Sequence, residues 1–130
     1  MRPLLDTCTF LWLINDAGKL PVEVRNLICS ARSEVWLSTV SNWEISVKET
    51  LGKLVFPEPA RDYIPKQRVA HQLGSLPLDE RAVGHLSQLP PLHRDPFDRM
   101  LICQSIENNL SLVTSDPLIR RYPIKTHWAT

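Results

Sequence analysis

Short apolar runs of the kind that form buried strands alternate along this chain with segments of helical periodicity, and no other feature constrains the fold as much. Pro3–Leu5, Glu34–Ser38 (EVWLS) and Leu110–Thr114 (LSLVT) read as brief strands, with Ser75–Leu78 and Ile124–Trp128 as further candidates. Helical spacing runs between them. It passes through Phe10, Leu11 and Ile14 to near Gly18, then over Pro21–Arg32 with Val24, Leu27 and Ile28 on one stripe. It returns from about Asn42 to Leu51, where Gly52 closes the helix, and again over roughly Ala60–Leu73, Asp79–Leu86 and Pro96–Asn108. Strands that alternate with helices build a parallel sheet covered on both faces. One α/β sandwich domain spanning 1–130 is expected.

A chain of 130 residues suffices for one domain with a real core. Its net charge of +1 argues against a protein that coats nucleic acid through bulk charge. Any handling of RNA must therefore rely on local basic residues and metal ions. Cys8, Cys29 and Cys103 are odd in number, with no CxxC or Cys/His cluster, so no zinc site is expected. Their apolar neighbours suggest buried, reduced thiols. Leu11–Ile14 is too short to span a bilayer, and a single Arg2 makes no signal-peptide layout. The expected location is the cytoplasm, with no membrane partner.

The acids fall in a pattern. Asp6 follows the first strand, Glu44 lies near the start of the helix after the second, Asp98 sits in the first turn of the long helix, and Asp116 comes just past LSLVT. In a parallel sheet the strand carboxyl ends and the following helix N-termini share one edge, where ligand sites form. Each acid alone has a structural reading: Ser41-Asn-Trp-Glu44 fits a capping box, and Asp6, Asp95-Pro96 and Asp116-Pro117 fit helix caps. Four acids on one edge weaken that reading. Clustered carboxylates repel unless a cation holds them, and hard oxygen donors favour Mg²⁺ or Mn²⁺. The chemistry that suits such a centre is phosphodiester hydrolysis without a covalent nucleophile.

LLDTCTFLWL, SNWEISVKETLGKL, HRDPFDRMLICQS and LSLVTSD, in this order, resemble PIN-domain proteins and above all the VapC-type ribonuclease toxins. The resemblance implies a three-layer α/β sandwich with a four- or five-stranded parallel sheet between helices. It implies a Mg²⁺/Mn²⁺-dependent endoribonuclease, usually a homodimer held inactive by a cognate antitoxin. The family's acidic quartet carries over onto Asp6, Glu44, Asp98 and Asp116, and its hydroxyl beside the last acid onto Ser115 or Thr114. Asp95 is an extra acid that competes with Asp98 for the ligand position.

Candidate substrate contacts are Thr7, Ser115, Lys48, Arg94 and Arg99. Lys48 also reads as an i,i+4 partner of Glu44. The histidines lack metal-ligand spacing and read as solvated or structural, except that His93-Arg94 beside the DPFD acids is placed to meet a phosphate. Trp12, Trp36 and Trp43 read as core. Receiver-type and dehalogenase-type folds also cluster acids on parallel sheets. The first wants paired acids after the first strand and a late lysine, and the second wants an Asp where Cys8 stands. The remaining alternative is a non-catalytic PIN-like module that binds RNA or protein.

Overall fold

The computed structural model describes residues 2–129. Five strands form one parallel sheet in the order β3-β2-β1-β4-β5: β1 (Pro3–Leu5), β2 (Trp36–Ser38), β3 (Gly74–Leu76), β4 (Ser111–Val113) and β5 (Thr126–His127). The helices are α1 (Thr7–Asn15), α2 (Val22–Cys29), α3 (Thr39–Thr50), α4 (Ala60–Ala70), α5 (Glu80–Val83) and α6 (Pro96–Asn108). The predicted α/β sandwich is observed, and each expected strand and helix is present: β1 and α6 have the expected bounds, α3 starts earlier, and the others are shorter or shifted.

The period-two alternation of strand side chains sorts the core into two layers. Leu5, Leu37 and Val113, in register across β1, β2 and β4, pack with Phe10, Val24, Ile45 and Ile64 on one face. Leu4 and Leu112 face the other way and pack against Leu101 and Ile102 of α6 and Val40 of α3. Gly74 is paired with Trp36 across β2 and β3, where a Cβ would lie 2.5 Å from the indole ring. Any larger residue there would force the indole to shift.

Two helix boundaries differ from the sequence reading for a physical reason. α3 begins directly at the end of β2, because the Ser38 hydroxyl caps it by accepting the Val40 N–H at 2.9 Å. Glu44 thus lies in the second turn, and the capping box over Ser41–Glu44 is corrected. Gly52 does close α3: at φ +75° it sits past the Leu51 cap, with Lys53 N–H on Lys48 O at 2.8 Å. α4 stops at Ala70 because Gln72 enters the left-handed region at φ 57° and Leu73 N–H turns back to Arg68 O at 3.0 Å.

Burial corrects three more expectations. Cys8 and Cys29 are exposed and only Cys103 is buried. Trp43 is 55% exposed rather than core. Its ring instead meets Phe97 edge-on, with centroids 4.8 Å apart, and so pins α3 to the first turn of α6.

Candidate metal centre

The strand order places a switch point between β1 and β4, since the chain winds outward through β2 and β3 and then restarts on the other side. Loops leaving adjacent strands there diverge and open a crevice. A cleft of about 410 Å³ occupies that place, and Asp6, Glu44, Asp95, Asp98 and Asp116 all line it. Thr7, Lys48 and Ser115 line it as well, whereas Arg94 and Arg99 do not.

Each acid is delivered by local structure. Asp6 caps α1, accepting the Thr9 N–H at 2.8 Å, and its own N–H is tied to Val113 O at 3.1 Å. It is buried, and burial pushes its carboxyl above the usual range against hydrogen bonds from Thr114 and Thr9. Thr114, fully buried, accepts the Asp116 N–H at 3.0 Å, and its hydroxyl lies near enough to Asp6 to oppose that rise. Of the two hydroxyls the sequence left open, Thr114 is bound to the Asp116 backbone N–H and Ser115 lines the cleft. Thr7 spends its hydroxyl on Ser41 at 2.9 Å, which ties α1 to α3 behind Glu44.

Glu44 is buried, with Oε2 paired to Lys48 Nζ at 2.6 Å and Oε1 without a hydrogen-bond partner. Lys48 is partly exposed, and the Glu44 carboxylate outweighs burial to raise its pKa. Asp95 is the cap of α6, accepting from the N–H groups of Phe97 at 2.8 Å and Asp98 at 3.2 Å. Asp98 projects from the turn so capped, and burial together with Asp95 and Glu44 pushes its pKa up to about 7. Asp116 goes the other way. Burial raises it, but hydrogen bonds from His93 and the Leu118 N–H prevail and lower it.

His93 is the residue that sequence reasoning misplaced. It faces the acids, with Nε2 2.8 Å from Asp116 Oδ2 and 3.3 Å from Asp98 Oδ2, instead of standing free to meet a phosphate. One donor atom each from His93, Asp98 and Asp116 lies within 4.8 Å of the others. The available signal was its place two residues before the Asp95 cap, which folds the loop back onto the site.

A divalent cation suits this donor set. Carboxylates from four segments face one cleft, Asp6 and Glu44 buried and Asp98 and Asp116 partly so, one of their oxygens is unpartnered, and Asp98 is forced toward neutrality where no cation balances it. Cys8 also lines the cleft, but partial desolvation of its sulfur and the nearby Asp6 push its thiol up, which disfavours a thiolate there.

The model of the PIN domain family matches residues 4–125. The chain belongs to the PIN domain family. Ribonuclease VapC16 of Mycobacterium tuberculosis is 33% identical to this PIN protein over 63 residues, 48% of this chain and 45% of that relative. The match thus spans about half of the relative's length. Among solved structures, VapBC2 from Rickettsia felis, bound to a DNA fragment from its promoter, superposes with a TM-score of 0.74 at 15% identity, covering 99% of this chain and 100% of that one. DNA-bound VapBC from Salmonella typhimurium gives 0.68 at 20% identity, covering 98% and 97%. VapBC-5 from Mycobacterium tuberculosis, a member of the VapBC family of toxin–antitoxin systems, gives 0.56 at 17% identity, covering 97% and 95%. At such identities the superpositions speak for the fold, the PIN sandwich expected from the sequence. Among the described residues of this PIN domain, no helix is long and apolar enough to cross a membrane.

Proposed function

We propose that this PIN domain is a Mg²⁺/Mn²⁺-dependent endoribonuclease, the toxin of a toxin–antitoxin pair. The observation that carries the reading is Glu44: a buried carboxylate with one oxygen unpartnered, facing Asp98 across a cleft that has more negative charge than its own cations offset. Asp6, Glu44, Asp98 and Asp116 are the proposed ligands. A bound divalent ion supplies Lewis acidity at the scissile phosphoryl group and a water of lowered pKa. The chain's residues hold the geometry: Thr9 and Thr114 orient Asp6, and Asp95 shapes the turn bearing Asp98. Lys48, partly exposed at the cleft, is positioned to offer its ammonium to an RNA phosphate.

Glu44 separates this reading from a structural one. It caps nothing, and its i,i+4 pair with the partly exposed Lys48 is worth only about 0.5 kcal/mol to the helix. Glu44→Gln is expected to leave the thermal midpoint close to that of the native protein. RNA cleavage should fall by about tenfold or more, about 1.4 kcal/mol in transition-state stabilisation. Undiminished cleavage by the Gln variant would return Glu44 to the structural residues, and absence of cleavage by the native protein would favour a binding module.

The partner proposal draws on the VapC16 likeness and on the solved VapBC relatives. A cognate antitoxin is proposed to occlude the acidic edge, with the PIN domain itself a cytoplasmic homodimer. Expression of this chain alone should arrest bacterial growth, and co-expression of its antitoxin should relieve the arrest. Harmless accumulation of soluble native protein would count against the toxin assignment.

A further inference from the structure

His93 stands between two acids of the cleft, and its hydrogen bonds define its role. Its backbone N–H donates to Tyr122 Oη at 2.9 Å, and its ring Nδ1 accepts the Asp95 backbone N–H at 3.0 Å. A backbone amide can only donate, so Nδ1 carries no proton and the ring proton resides on Nε2. Nε2 is the atom that faces Asp116 and Asp98. A ring nitrogen that bears its proton has no lone pair for a metal.

We propose that His93 is a positioning residue of the cation site and not one of its ligands. It is a donor of fixed tautomer that holds Asp116 beside Asp98 and leaves an all-oxygen donor set. The proposal rests on the metal-site reading above. The side chain is only 10% exposed, so the contact is sheltered from water. Both oxygens of Asp116 are thereby oriented, Oδ2 by His93 and Oδ1 by the Leu118 N–H at 2.8 Å. The loop before α6 and the turn after β4 are joined at this point. Without the clamp, Asp98 and Asp116 lose the donor that lies between them.

Two substitutions separate the parts of this arrangement. Asn has an acceptor near the position of Nδ1 and keeps the bond to the Asp95 N–H, but its amide does not reach the acids. Gln extends a donor to the Nε2 position and gives up the local turn. Mn²⁺ affinity, measured by calorimetry on the folded full chain, should fall by about tenfold or more in His93→Asn and remain close to native in His93→Gln. Nitrogen-detected NMR of the native imidazole, with and without saturating Mg²⁺, should show the proton on Nε2 in both states. Transfer of that proton to Nδ1 on adding Mg²⁺ would make His93 a ligand and overturn the proposal. Native affinity in His93→Asn, or equal losses in both variants, would overturn it too. If His93→Asn does not fold, the native spectrum decides alone. Native protein that binds no Mn²⁺ would defeat the metal-site reading itself, a failure visible in the parent chain before any variant is made.

Discussion

Asp98→Asn is expected to abolish RNA cleavage while the protein stays folded, and Asp95→Asn, three residues away, to be mild in both respects. The two acids sit on one helix start and do different work. Asp95 Oδ1 accepts the N–H groups of Phe97 and Asp98, which is the task of a helix cap, and Pro96 occupies the first helical position. Asn caps helices about as well as Asp, so that exchange preserves the turn. Asp98 makes no cap bond. Burial and the neighbouring Asp95 and Glu44 raise its pKa to about 7, so the metal-free fold favours its protonated form. For an acid whose folded pKa lies above its unfolded value of 3.8, stability falls as pH rises from about 4 to about 7. Asn removes that penalty. The metal-free Asp98→Asn protein should therefore melt no lower than the parent near pH 7.5, with the advantage shrinking toward pH 4. Its cleavage rate should drop by about a thousandfold or more, equivalent to about 4 kcal/mol. Cleavage and melting of the two variants, measured side by side, decide the assignment. An inactive Asp95→Asn beside an active Asp98→Asn would reverse it.

Removal of divalent metal should have an effect of the same size. In excess chelator, cleavage of structured RNA should disappear and should return with Mn²⁺ or Mg²⁺. Stability should follow, because a ligand that binds only the folded state adds about 2.7 kcal/mol at a hundred times its dissociation constant. For a domain of this size that corresponds to a rise of about 10 °C in the midpoint. The gain should be larger at pH 8 than at pH 5. At pH 5 Asp98 holds a proton that the ion must displace, and at pH 8 the carboxylate is already ionised. Full cleavage in chelator would eliminate the metal mechanism, and a midpoint indifferent to Mn²⁺ at pH 8 would eliminate the site.

Much of this arrangement was legible in local sequence because its causes are local. Short apolar runs placed β1, β2 and β4, and Asp95-Pro96 marked the start of α6 by the same cap that the structure displays. The convergence of Asp6, Glu44, Asp98 and Asp116 followed from parallel topology, which needs only the order of the elements. The start of α3 was misread because Ser38 and Ser41 are both competent caps, and the sequence near them does not say how soon β2 gives way to helix. Cys8 and Trp43 were misread as buried because apolar neighbours in sequence are not neighbours in space.

The chain's own order of residues thus determined the α/β class, the shared edge and the acids that reach it, since periodicity, caps and strand direction act over a few residues. Tertiary structure alone decided that Thr114 accepts the Asp116 N–H while Ser115 lines the cleft, and that Glu44 keeps one oxygen unpartnered. It also turned His93 inward between Asp98 and Asp116. These are outcomes of register and of contacts between segments far apart in the chain, and a hydrogen bond requires its partner within about 3 Å along a particular direction. No local pattern encodes that distance.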